Sequence, residues 1–179
     1  MIETRTAEAC DLDAIITLIS HARQAIARLG IDQWQDGYPE PELLARDIES
    51  GIGCVFEVDG IIAGYMVPLA EPEPVYNALD GEWINRDAPY LTVHRMAIDD
   101  GYRGTGLSRQ MLAYAEALAR DRGMKSVRAD THRGNLAMRG LMKNCGYEIC
   151  GEVVYSVCLG DPIRVAYEKV LENEAPCGS

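Results

Sequence analysis

The spacing of apolar residues predicts one strand and two helices in the first fifty residues. Segment 2–6 is typical of a short strand, and Asp11 suits the N-cap of a following helix that ends at Gly30. The apolar side chains of that helix recur at helical spacing: Leu12, Ile15, Ile16, Ile19, Ala22, Ile26 and Leu29. Residues 31–39 predict a loop, and Pro41 suits the start of a second helix, 42–50.

The next segment predicts a hairpin followed by a long loop. Strand-like runs at 53–58 and 61–69 are joined by Asp59-Gly60, and Asp-Gly between such runs favours a tight turn. Residues 71–89 contain prolines and acidic side chains and predict a loop. A loop of this length inside a compact domain usually serves a function.

Strands and helices alternate in the rest of the chain. A strand-like run at 90–98 precedes a glycine-rich loop and a helix, 107–122, with an apolar face of Leu107, Met111, Tyr114, Ala115 and Leu118. A strand at 126–129, a helix at 135–144 and an antiparallel pair, 147–159 and 164–171, complete the pattern. The order β-α-α-β-β-β-α-β-α-β-β predicts an α/β (α+β) fold in which a mixed sheet carries helices on both faces. We expect a single domain over 1–172 and a frayed tail, 173–179.

Composition narrows the class of protein. The 179 residues are 47% apolar and 25% charged, and they contain no apolar run long enough to span a membrane. The first residues lack the pattern of a signal peptide, so we expect a cytoplasmic protein. A net charge of −11 disfavours nucleic acid and anionic lipid as partners. It suits cationic small molecules, although acidic surfaces also simply aid solubility. The sequence is compatible with a homodimer and does not fix the oligomeric state.

Six cysteines are scattered without a Cys-x-x-Cys pair, at positions 10, 54, 145, 150, 158 and 177. We therefore expect small buried thiols rather than a zinc site or a disulfide framework, and no metal.

The glycine-rich loop between the strand at 90–98 and its helix carries the most specific chemistry. It contains Arg103-Gly104-Thr105-Gly106-Leu107-Ser108, which places backbone N–H groups at a helix N-terminus, where they can surround a phosphate. The loop lacks the lysine of a Walker motif and the third glycine of a dinucleotide fingerprint.

Arg103-x-x-Gly106-x-Ser108 resembles the Gln/Arg-x-x-Gly-x-Gly/Ala signature of the GNAT superfamily of N-acetyltransferases. The flanking segments are also similar to that family: the strand 90–98, the sequence Asp130-Thr131-His132 with Asn135, and Lys143 to Tyr147. The resemblance implies a three-layer α/β/α fold with a splayed, mostly antiparallel sheet, and acetyl-CoA as the co-substrate.

The resemblance also implies roles for single residues. The pyrophosphate would be bound by the backbone of Gly104, Thr105, Gly106, Leu107 and Ser108, with Arg103 and Arg109 nearby. The pantetheine arm would pair with the backbone of Met96, Ala97 and Ile98, and the Met96 N–H would stabilise the developing oxyanion. Asn135 would hydrogen-bond the cofactor arm, cap a helix, or do both.

Three residues depart from the family pattern. Ser108 stands where the signature has Gly or Ala, and it is small enough for a phosphate to approach closely. Met142 stands where many members have a tyrosine that acts as acid, and Thr92 stands where many have a glutamate. Strand alternation places Thr92, His94 and Met96 on one face, so His94 is the candidate base, with a structural histidine as the alternative. His132 is a weaker candidate. Tyr155, Tyr147 and Cys145 are candidates for the missing acid, although each is more often a core residue.

The acceptor is expected against Trp34 and Tyr38 in the first long loop, against the acidic second loop, and beside Thr92. Aromatic faces and carboxylates suit a cation, so polyamines or aminoglycoside-like amines should outcompete acidic amino acids. The sequence thus predicts an acetyl-CoA-dependent N-acyltransferase in which an amine attacks directly. The alternative is a non-catalytic acyl-CoA-binding domain.

Overall fold

The computed structural model describes residues 1–156 and 160–172. The predicted end of a strand at Leu159, the tail 173–179, Cys158 and Cys177 lie outside the described residues. The helices are α1 (Leu12–Ala27), α2 (Pro41–Glu49), α3 (Leu107–Asp121) and α4 (Leu136–Asn144). The strands are β1 (Ile2–Thr6), β2 (Cys54–Val58), β3 (Ile61–Leu69), β4 (Asp80–Gly81), β5 (Tyr90–Ile98), β6 (Ser126–His132), β7 (Glu148–Val154) and β8 (Ile163–Val170).

These strands form one mixed sheet in the order β1-β2-β3-β5-β6-β8-β7-β4. Each neighbouring pair is antiparallel except β5 and β6, which are parallel. Their register runs only from Tyr90 opposite Ser126 to Thr92 opposite Arg128. Beyond Thr92 the two strands separate, so the predicted splayed, mostly antiparallel sheet is confirmed.

Two apolar cores bury the two faces of the sheet. Ile15, Ile19 and Leu44 from α1 and α2 pack on one face, with Tyr65 and Val67 of β3. Met111 and Leu112 from α3 and Met142 from α4 pack on the other, with Phe56 and Leu91 among others. The amphipathic pattern of each helix thus has a sheet face to cover. None of the helices among the described residues is long and apolar enough to cross a bilayer.

Local hydrogen bonds explain where the elements differ from the sequence prediction. Asp11 occupies the N-cap position of α1 as predicted, but its side chain makes no capping hydrogen bond, because its carboxylate binds Arg5 (2.6 and 2.9 Å) and accepts the N–H of Glu8 (2.7 Å). Arg5 thereby lowers the pKa of Asp11. Within the predicted loop 71–89, residues Pro74–Ala78 form a short 3-10 helix and β4 pairs with Gly151 and Glu152. The partner of β4 is seventy residues away, so local periodicity carries no signal for it.

A bulge in β5 determines which side chains face the site. The register with β3 shifts between Tyr65 and Val67, and Arg95 on β5 has a φ of 53°. Val93 and Met96 both pack towards the core of α3, three residues apart, whereas Ala97 packs towards α1 and α2. Simple alternation is therefore broken. The prediction that His94 and Met96 share a face is wrong for this reason.

A buried ion pair fixes the segment that follows β4 to the sheet. Glu168 on β8 is fully buried and accepts from Ser126 (2.6 Å) and from Nε of Arg128 (2.9 Å). Its other oxygen accepts the backbone N–H groups of Ile84 (2.7 Å) and Asn85 (3.2 Å). The Arg128 guanidinium also lies over the rings of Trp83 and Tyr90, at 4.0 and 3.8 Å.

We expect Glu168→Ala to lower the free energy of unfolding by about 3–5 kcal/mol, because it leaves Arg128 buried without its counter-charge. Urea denaturation measures the change. The matched control is Glu82→Gln, which removes a largely exposed pair with Arg86 and should cost less than about 1 kcal/mol. Equal losses in the two variants would contradict this assignment.

Candidate active site

Two adjacent cavities lie where β5 and β6 separate. The histidine cavity, about 310 Å³, is lined by Glu73, His94 and Arg95 among others, and the loop cavity, about 340 Å³, by Arg103, Gly104 and Ser108 among others. Their walls share five residues: Ile26, Trp34, Met96, Asn135 and Met138. The glycine loop and His94 thus lie in two adjacent cavities with a common wall.

The glycine loop reaches α3 through left-handed backbone conformations. Gly104 has a φ of 77° and Gly106, the N-cap of α3, a φ of 92°. A Cβ on either glycine would meet no protein atom within 4 Å. Glycine is therefore required here by the backbone angle, and the space above the loop is free for a ligand.

The loop presents an incomplete set of the predicted N–H donors. The N–H of Thr105 is directed to Tyr102 O (3.4 Å), and its hydroxyl donates to the same oxygen (2.7 Å). Within residues 1–156 and 160–172, no hydrogen bond engages the N–H groups of Gly104, Gly106, Leu107 or Ser108. These four open amides stand at the positive end of the α3 dipole, an arrangement suited to an anion.

The two predicted phosphate-binding arginines differ in their surroundings. The Nε of Arg103 donates to Asp100 (2.7 Å), and Arg103 lines the loop cavity. Arg109 is exposed on the first turn of α3 and is not part of either cavity wall. Arg103 is therefore the better placed of the two.

The β5 backbone offers an open edge to a ligand in the gap. Ala97 and Ile98 pair with Tyr65 and Gly64 of β3, while the β6 side has no register after Thr92. Met96, Ala97 and Ile98 all line the loop cavity. An extended group with amides can lie along such an edge as an added strand does.

Asn135 occupies the N-cap of α4. Its side-chain oxygen accepts the N–H of Met138 (3.2 Å), so the predicted capping role is confirmed. Asn135 also lines both cavities, which leaves its side-chain NH₂ for a ligand.

His94 is paired with an acidic residue from the second long loop. Its Nε2 lies 3.0 Å from Oε2 of Glu73, and both side chains are largely buried. The contact is an ion pair without the alignment of a hydrogen bond. The nearby His94 lowers the pKa of Glu73, although burial opposes the change. The sequence named only an acidic loop at this point. A pairing between residues twenty-one apart follows from the fold.

The other candidate acids and bases are held in hydrogen bonds or buried in the core. Asp130 accepts the hydroxyls of Tyr76 and Tyr155, both at 2.9 Å, and burial raises the pKa of Asp130. Burial and Asp130 raise the pKa of Tyr155 far above its usual range. Tyr147 is a buried core residue, and burial strongly raises its pKa.

Met142, Cys145 and His132 lie outside both cavity walls. Met142 is fully buried in the core beneath α4, and burial raises the pKa of the Cys145 thiol. His132 accepts the N–H of Gly134 at Nδ1 (3.0 Å), and its Nε2 lies 3.3 Å from Asp161. Burial lowers the pKa of His132, which favours a neutral, structural imidazole.

Of the three residues predicted to contact the acceptor, two lie in the wall of the histidine cavity. Trp34 and Tyr38 line the histidine cavity with their rings 6.4 Å apart. Thr92 is fully buried at the last paired position of β5 and is not part of the cavity wall. The expectation that Thr92 contacts the acceptor therefore fails on burial. Arg95, Asp130 and Gln33, which the sequence analysis did not single out for the acceptor, line the cavity instead.

No group of three or more His, Cys, Asp or Glu side chains in residues 1–156 and 160–172 is arranged to hold a metal ion.

The chain is similar in sequence and in fold to known proteins. A model of the acetyltransferase (GNAT) family matches residues 18–147. A GNAT-family acetyltransferase of Streptococcus agalactiae 2603 superposes with a TM-score of 0.86 and 35% identity, over 96% of each chain. The Salmonella typhimurium protein yncA, whose structure contains its cofactor acetyl-CoA, has a TM-score of 0.69 and 18% identity, over 98% of this chain and 96% of its own.

One curated relative carries a named activity. An aminoglycoside N(6')-acetyltransferase type 1 of Stenotrophomonas maltophilia is 25% identical over 134 residues, which are 73% of this chain and 83% of that protein. Because the family model covers well over half of the sequence and the S. agalactiae protein matches nearly its whole length, this chain belongs to the acetyltransferase (GNAT) family.

Proposed function

We propose that the protein transfers an acetyl group from acetyl-CoA to a primary amine by direct attack of the amine in a ternary complex. The observation that carries the proposal is the gap between β5 and β6. Its two adjacent cavities place the open amides of the glycine loop at one end and the His94–Glu73 pair at the other.

The chain fits acetyl-CoA at three points. The open amides of the loop suit a pyrophosphate, the unpaired β5 edge suits the amides of pantetheine, and Met96 lies where the two cavities join. When bound, acetyl-CoA would supply an activated acetyl thioester. The Met96 N–H is the donor we assign to the thioester oxygen.

His94 is the residue we assign to the amine proton. An alkylamine is mostly protonated at pH 7 and must lose a proton before it attacks. Glu73 places a carboxylate 3.0 Å from Nε2 of the imidazole, beside the position where the proton would be taken up. Asp130 also lines the cavity, but its Oδ2 is already bound by two tyrosine hydroxyls.

Direct attack is supported by the positions of the cysteines. No cysteine of residues 1–156 or 160–172 lines either cavity, so the described site offers no thiol to carry the acetyl group.

Incubation with acetyl-CoA and a panel of primary amines, with detection of free thiol, tests the proposal. Turnover that depends on the amine supports it. Binding of CoA without turnover on any amine would instead indicate a non-catalytic acyl-CoA-binding domain, which Met142 at the usual tyrosine position favours.

We expect Tyr155→Phe to lower kcat by less than about 10-fold, compared with the 10²–10⁴-fold typical of a lost acid or base. The hydroxyl of Tyr155 donates a hydrogen bond to Asp130, and the raised pKa of Tyr155 makes it a weak acid. Steady-state kinetics at saturating amine measure the effect. A fall of 100-fold or more would assign the missing acid to Tyr155.

A further inference from the structure

Arg95 is a largely buried cation in the wall of the histidine cavity. Its side chain is only 10% exposed, and its Nε lies 3.3 Å from Oδ2 of Asp47. Neither Nε nor Nη1 has a well-aligned hydrogen-bond partner among the described residues. A guanidinium carries five N–H donors, and buried donors that remain unpaired are costly. Arg95 is thus a buried cation that is only partly compensated by the protein.

The groups around Arg95 balance its charge only in part. Asp47 is shared, because it also accepts the hydroxyl of Tyr65 (3.3 Å), and burial raises the pKa of Asp47. The ring of Tyr38 lies 5.8 Å from the guanidinium carbon. A planar carboxylate is the small group that accepts two guanidinium N–H bonds at once.

The bulge of β5 places this cation beside the candidate base. Arg95 directly follows His94, has a φ of 53°, and lines the same cavity. A non-glycine residue in this conformation is strained, and such strain is concentrated at functional sites. Because both residues line one cavity, a single small ligand can present an amine to His94 and a carboxylate to Arg95.

We infer that the acceptor is a small amino acid with an uncharged side chain, bound by its carboxylate to Arg95; this rests on the proposed acetyl transfer at His94. Ile26, Leu69 and Val93 provide apolar wall for its side chain, and about 310 Å³ suits a small molecule. The ammonium group faces Glu73, so the two ends of the zwitterion meet opposite charges. A polyamine would bring a second positive charge against Arg95. The inference therefore ranks uncharged amino acids above polyamines, whereas the sequence pointed to polyamines as preferred acceptors.

The test compares amino acids with their amides, in which an uncharged amide replaces the carboxylate. Both series are compared at a pH where the amines are matched for the fraction of free base, because amidation also lowers the pKa of the α-amine. We expect kcat/KM of the wild-type protein to be about 10- to 100-fold higher for leucine, methionine and phenylalanine than for their amides, the range of a charge-assisted pair. In Arg95→Gln that ratio should fall to near one. The matched control is Arg46→Gln, an exposed arginine on α2, which should retain the wild-type ratio.

The outcomes separate this inference from the proposed function. A wild-type ratio near one, better turnover of spermidine than of any amino acid, or an unchanged ratio in Arg95→Gln would overturn the inference and leave acetyl transfer standing. No turnover on any amine would overturn both. Calorimetry with CoA checks that Arg95→Gln is folded. If Arg95→Gln is unfolded, the amino acid-to-amide ratios of the wild type and of Arg95→Lys test the inference instead. We expect the ratio of Arg95→Lys to lie between the wild-type value and one.

Discussion

Replacing His94 with glutamine is expected to lower kcat by about 10²–10⁴-fold, the usual contribution of a positioned base. Glutamine keeps a polar side chain beside Glu73 but takes up no proton in the working pH range. The acid limb of the pH–rate profile should therefore disappear together with the activity. Steady-state kinetics across pH 5–9, about two units on each side of neutrality, measure both effects.

The matched control uses another of the three histidines. His21 is half-exposed on α1, 3.5 Å from Asp99, and is outside both cavities. His21→Gln should leave the rate and its pH dependence at the wild-type level. If His94→Gln retains the wild-type profile, His94 is a structural residue and the base must be assigned elsewhere.

The second large effect is expected from Gly106→Val, which should weaken CoA binding by about 10- to 100-fold. Valine at a φ of 92° is strained by more than about 1–2 kcal/mol, and relief of that strain rotates the open amides away from the ligand. Its side chain would also point into the space left free above the loop. Isothermal calorimetry with CoA measures the dissociation constant.

Gly123 provides the control for this strain. It has a φ of 71° and no atom within 4 Å of a built Cβ, and it follows the C-terminus of α3, at the opposite end of the helix from Gly106. Gly123→Val should lower Tm by a similar amount while CoA binds as in the wild type. A similar loss of affinity in both variants would mean that general destabilisation, and not the loop amides, explains the effect.

Local sequence patterns were sufficient for most of the fold. The four helices and all strands except β4 follow from apolar periodicity and from turn residues, because each pattern lies within one element. The glycine loop was also readable, since Gly104 and Gly106 stand between a clear strand and a clear helix. Boundaries moved by a few residues: α1 ends at Ala27 rather than before Gly30.

The chemistry of the candidate site was harder to predict from the sequence, because it depends on contacts between residues that are far apart along the chain. The bulge at Arg95 interrupts a strand whose composition looks regular, and it moves Met96 to the other face. Glu73 meets His94 only because the second loop folds back over β5. Asp130 likewise accepts hydrogen bonds from the hydroxyls of Tyr76 and Tyr155, which are 54 and 25 positions away in the sequence.

The most direct test of the account is a calorimetric titration of the wild-type protein with CoA. We predict saturable binding at one site per chain, which acetyl-CoA competes for and which Gly106→Val weakens. Absence of binding to both CoA and acetyl-CoA would contradict the account, because neither the loop amides nor the open edge of β5 would then have the ligand assigned to them.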